Sequence, residues 1–157
     1  MTENMSHPNY AGNIIVNLAS LPDFLRKPIL KKRMDEFYTL SAPERFEIIN
    51  NALEAGPTIP YPSFAKLFVT WLEIMASVPE EKRLLMFSTY ISEILKNPQR
   101  LVLFNLDGIL EIFISLEKPK KDTISASVRK IISSLTDEQK RQLFLIIPQN
   151  AKAHLGI

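Results

Sequence analysis

The sequence predicts an all-α fold: a compact bundle or short superhelical stack of seven to eight short helices around a buried central helix at about 63–77. Three observations lead there. Apolar residues recur at steps of three and four along most of the chain, which places them on one side of a helix. Most of the eleven prolines stand where those stripes begin or end. Only four glycines occur, too few for an all-β fold with many tight turns.

The central helix is the clearest element. Phe64 to Ala76 holds ten apolar residues in thirteen. Its polar residues Lys66, Thr70 and Glu73, continued by Ser77, fall on one narrow line, so every other direction should be covered by neighbouring elements. The run is too short to cross a bilayer, which takes about 20 apolar residues.

Residues 1–12 read as a flexible N-terminal arm, and 13–157 as a single helical domain. Asn13–Ala19 is too short for periodicity to separate helix from strand. Pro28 predicts a break, giving a short turn over 22–27 and then a helix over 28–38 with Leu30, Met34 and Phe37 inward. Pro43 opens a helix that Gly56 should close as a left-handed cap. Thr58–Pro62 reads as an extended connection, because residues before proline avoid the helical region. Pro79 starts the next helix, with Glu80 and Glu81 in its first turn and a core stripe of Leu84, Phe87, Ile91, Ile94 and Leu95.

Pro98–Glu117 reads as one further apolar element, bent near Asn105 and Gly108, with a strand over 101–104 as the alternative. Lys118–Asp122 reads as a basic linker, after which Asp122 or Thr123 caps a helix. Thr136 with Gln139 forms a capping-box pattern, Pro148 ends that helix, and Gly156 closes a last turn.

Chemistry is sparse. Without cysteine there is no disulfide, thiolate metal site or cysteine nucleophile, and a reducing cytoplasm is the expected setting. His7 and His154 lie near the ends, without a ligand partner at helical spacing. The carboxylate pairs Asp107 with Glu111 and Glu44 with Glu47 read as wet helix faces. No catalytic residue, cofactor or metal site is predicted, and the chain is not expected to be an enzyme.

The N-terminal ten residues lack the basic start and long apolar run of a secretory signal. The charge balance, 19 basic against 17 acidic residues, does not by itself call for a polyanionic partner. One segment is locally basic: Arg26, Lys27, Lys31, Lys32 and Arg33. Those five cations are the candidate contacts for nucleic acid or another anionic partner, and Lys118, Lys120, Lys121, Arg129 and Lys130 would extend them if adjacent.

Three helix starts resemble one another: Leu40-Ser-Ala-Pro-Glu-Arg-Phe, Val78-Pro-Glu-Glu-Lys-Arg-Leu and Leu135-Thr-Asp-Glu-Gln-Lys-Arg-Gln-Leu. Each has an aliphatic residue, an acidic first turn and an arginine before the apolar face. Shared capping chemistry would produce the same pattern. Through Ile147-Pro-Gln-Asn-Ala-Lys-Ala-His-Leu-Gly, residues 135–156 resemble the short-helix repeats in the N-terminal domain of MgtE-type magnesium transporters and in the flagellar motor switch protein FliG. The resemblance implies a right-angled stack of short helices used for protein contacts, and no catalytic residue. The expected function is thus a non-enzymatic helical protein-interaction domain, with self-association as a further option. The alternative is a nucleic-acid-associated protein using residues 26–33.

Overall fold

The computed structural model describes residues 10–157, with side chains from Gly12 onward, and every regular element among them is helical. The helices are α1 (Tyr10–Ser20), α2 (Asp23–Phe37), α3 (Ala42–Ala55), α4 (Tyr61–Ser77), α5 (Glu80–Lys96), α6 (Leu106–Ile114), α7 (Lys118–Ser133), α8 (Asp137–Ile146) and α9 (Gln149–Leu155). Two 3-10 segments join them, Gly56–Thr58 and Pro98–Leu103. Most of the expected N-terminal arm lies outside the described residues, and Tyr10–Gly12 begin α1.

Helix α4 is the central element. It packs against α1, α2, α6 and α7. Its aromatic row Tyr61, Phe64, Phe68 and Trp71 runs along one side and ends edge-on to Phe87 and Tyr90 of α5, with centroids 5.6 and 5.4 Å away. Helix α3 bridges α1 and α5, α7 lies along α5, and α8 and α9 rest on α5 and α7 respectively. Because α4 meets α1 and α7, far apart in the chain, the helices close round a shared core instead of adding one after another.

The wet line of α4 differs from expectation. Lys66, Val69 and Ser77 are exposed and Glu73 is half-buried, whereas Thr70 is buried. Thr70 donates its hydroxyl to the Lys66 carbonyl at 2.9 Å, so it enters the core with its polar group already satisfied. The core side of α5 is wider than the expected stripe: Phe87 is buried and Leu84, Ile91 and Ile94 pack half-buried against the core, while Met86, Thr89 and the charged Arg83 and Glu93 are buried as well.

Several expected boundaries are corrected. Helix α2 is continuous, with Pro28 inside it. Proline deletes one bond there, the one its amide would give the Phe24 carbonyl. That turn faces solvent, and Arg26 holds the first turn from below, as described under the candidate site. The extended connection is shorter than expected: Gly56–Thr58 form a 3-10 turn, Ile59 and Pro60 are extended, and α4 opens at Tyr61 with Pro62 in its first turn. Residues 98–103 form a 3-10 segment, neither strand nor a continuation into α6. Asn105 starts α6 by accepting the Gly108 amide at 3.0 Å. The supposed basic linker is the first turn of α7, where Lys118 pairs with Asp122 at 2.8 Å and Lys120 with Glu117 at 3.4 Å.

The capping signals hold where chemistry is local. Thr136 and Gln139 form a reciprocal box, and Gly156 takes the left-handed cap at φ 76°. Ser41 and Glu44 form a second box. The hydrogen bonds from Ser41 hold the Glu44 carboxyl below its ordinary range. Gly56, however, is right-handed at φ −50°. A Cβ there would lie 2.5 Å from Cε1 of Phe104, so the glycine serves close approach, not turn geometry. Gly56→Ala gains about 1 kcal/mol in helical propensity, but displacing Phe104 from its contact with Phe64 costs about 1–3 kcal/mol. A lower denaturation midpoint is expected, and Phe104→Leu in the same chain should recover part of it.

Candidate functional site

The five cations of the basic segment do not share one role. Arg26 is only 4% exposed. Its Nε donates to the Leu18 carbonyl at 3.2 Å, one Nη donates to the Leu21 carbonyl, and the other meets Asp23 at 2.6 Å. It therefore ties the end of α1 to the start of α2. The side chains of Lys27, Lys31, Lys32 and Arg33 are exposed. Lys31 pairs with Asp35 at 3.3 Å and Arg33 with Glu36 at 2.9 Å. No ion-pair partner is present for Lys27 or Lys32 among the described residues.

The second basic set is engaged on and around α7. Lys118 pairs with Asp122, Lys120 with Glu117 and Glu73, and Lys130 with Glu80 at 2.9 Å. Lys121 donates to the Ile114 carbonyl and Arg129 to the Leu155 carbonyl, so these two cations sit on the final turns of α6 and α9.

Concave surfaces among the described residues include two of note. One is an open groove of about 490 Å³ between α5 and α7, lined by Leu84, Leu85 and Ile131 together with Glu81 and Lys130. Its two serines turn away: Ser88 donates to the Leu85 carbonyl at 3.1 Å and Ser134 to the Ile131 carbonyl at 2.6 Å. What faces an occupant is thus mainly aliphatic. The other is a cleft of about 370 Å³ among α4, α6 and α7, bordered by Tyr61, Glu73, Glu111 and Lys120. Burial and, less strongly, Glu111 push the Tyr61 phenol up. Lys120 lies 3.7 Å from Glu73 and neutralises part of that cleft.

No group of three or more histidine, aspartate or glutamate side chains is gathered for a metal ion among the described residues. His7 lies outside those residues, and His154 is exposed on α9. Asp107, Glu111, Glu44 and Glu47 are all exposed. Apolar surface is also concentrated where Pro98–Leu103 packs on α8: Val102, Leu103 and Leu145 are 64%, 67% and 80% exposed.

Sequence reasoning missed the buried polar anchors. Arg83 is 7% exposed, and its guanidinium donates to Ser127 Oγ at 2.8 Å and to the Met75 and Val78 carbonyls at 3.1 and 2.7 Å. Glu93 is buried with its carboxylate 2.6 Å from Lys96 Nζ, while its carbonyl accepts from Arg100 at 2.9 Å. A signal for the first kind was present. Arg26, Arg45 and Arg83 each stand five residues after an aliphatic residue, Leu21, Leu40 and Val78, and each donates to that residue's carbonyl. The arginine is the fourth helical residue, and the aliphatic one precedes the cap. A hydrophobic staple joins those same two positions by apolar contact; here a guanidinium–carbonyl bond does so. The third resemblance breaks this spacing, with Lys140 in the fourth position and Arg141 paired to Glu138 instead.

No protein-family model, curated protein or solved structure matches this chain. No helix among the described residues is long and apolar enough to cross a membrane.

Proposed function

We propose that the chain is a non-enzymatic helical domain that binds another protein, with the groove between α5 and α7 as its docking surface. The observation that carries this reading is the groove's lining: aliphatic side chains from two helices, serines bonded to their own backbone, and charge confined to Glu81 and Lys130. Such a surface suits the apolar face of a partner helix, held by side chains at i, i+3 and i+7. The resemblance of residues 135–156 to MgtE-type and FliG repeats favours the same class of function. A cytoplasmic setting goes with the reading, since a cysteine-free chain is at home in a reducing compartment.

The test is capture from native lysate by the tagged full chain, with and without nuclease and at two salt concentrations. One protein is expected to be retained under all four conditions and lost with Leu85→Glu, a half-buried groove position, while the melting temperature of that variant stays near the parent's. Capture that disappears with nuclease, or that Leu85→Glu leaves intact, would overturn the reading.

A further inference from the structure

We infer that the outer face of α2 is a contact surface for an anionic lipid bilayer. The face is defined by Phe24, which is 76% exposed and the most exposed aromatic side chain among the described residues. Pro28 and Lys31 follow it at i+4 and i+7 and so stand on the same line of the helix. Lys27 and Lys32 flank that line, and Leu25 adds a second exposed apolar side chain. The proposal does not depend on the groove between α5 and α7.

Three features favour a bilayer. First, although the apolar stripe of α2 is spent on the core, a single exposed ring beside lysines can enter the acyl boundary while the ammonium groups stay at the headgroups. Second, the charge is available. Lys27 and Lys32 have no ion-pair partner among the described residues, whereas Lys31 is held by Asp35 at 3.3 Å. The carboxylates nearest the face are already engaged: Asp23 with Arg26, Asp35 with Lys31, Glu36 with Arg33. Lys66 of α4, exposed and without an ion-pair partner among the described residues, adds positive charge near the start of α2, where its field reaches Asp23. Third, the Phe24 ring stands out from the helix, 76% exposed. A flat, deformable bilayer accommodates a protruding ring, whereas a folded partner would need a matching cavity.

The experiment is co-sedimentation of the full chain, at low salt, with vesicles of phosphatidylcholine alone and of phosphatidylcholine containing phosphatidylserine. Binding is expected only to the second. Each neutralised lysine should weaken partition about fivefold, so Lys27→Gln with Lys32→Gln lowers it about 25-fold. Phe24→Ser should lower it about tenfold. Phe24→Trp should bind like the parent and shift its emission to the blue on phosphatidylserine vesicles. The inference is overturned if the parent chain ignores phosphatidylserine, if Phe24→Ser binds unchanged, or if the Phe24→Trp emission stays at its free position in the pellet. A single-stranded oligonucleotide bound in preference to the vesicles, with Phe24→Ser neutral, would overturn it in favour of nucleic acid.

Discussion

Arg83→Ala is expected to lower the unfolding free energy by about 3–5 kcal/mol, because each buried acceptor that loses its donor costs about 1–3 kcal/mol. The parent guanidinium serves three acceptors on three pieces of structure: the Met75 carbonyl in α4, the Val78 carbonyl in the turn and Ser127 Oγ in α7. The variant leaves those oxygens buried without their donor, and it opens a cavity between α5 and α7. A typical domain has about 5–15 kcal/mol in all, so much of the fold's margin rests on this side chain. Arg83→Lys tests the geometry. A single ammonium cannot reproduce the fork that spans Ser127 and two carbonyls, so lysine should recover less than half of the loss. Urea titration of the three proteins checks both statements. A loss under about 1 kcal/mol for Arg83→Ala would mean that water replaces the guanidinium, and that the junction is looser than its distances indicate.

The same arginine shows where sequence reading succeeds and where it stops. Fold class, the central place of α4, and the caps at Thr136 and Gly156 were legible because each depends on residues within a few positions of one another. The resemblance among the starts of α3, α5 and α8 was visible as well, but its physical content was not. In two of the three the shared arginine is a clamp on the preceding carbonyl, and Arg26 of α2 is a further example outside the three similar starts. The neighbours of Gly56 along the chain favour a left-handed cap; its real constraint is Phe104, 48 residues further on. Thr70 reads as a wet position because it is polar and in line with Lys66, although its own helix satisfies the hydroxyl. These misses share a cause. Burial of a polar residue is decided by a partner whose position only the tertiary fold supplies. The groove between α5 and α7 was illegible for the same reason: Leu84 and Ile131 read as core on their own helices, and only the packing leaves a furrow between them.

Arg26 carries the second large effect, and it separates structure from binding within the basic segment. Arg26→Ala is expected to cost about 2–3 kcal/mol, because the Leu18 and Leu21 carbonyls lose a charged donor in a site only 4% exposed. Its neighbours behave differently. Lys27 and Lys32 touch no other charged group among the described residues, and exposed positions of that kind shift stability by less than about 0.5 kcal/mol on substitution. A scan of the segment by thermal melting should thus divide into one deep loss and several flat positions. Anionic-surface binding, measured at a temperature where every variant is folded, should show the reverse: unchanged in Arg26→Ala and weakened in Lys27→Gln and Lys32→Gln. If Arg26→Ala lost binding while folded, the guanidinium would have to leave Leu18 and Leu21 to meet its ligand, and the α1–α2 junction would be a moving part. Equal effects of all five positions on binding, with none on melting, would instead return the segment to the uniform basic patch suggested by its sequence.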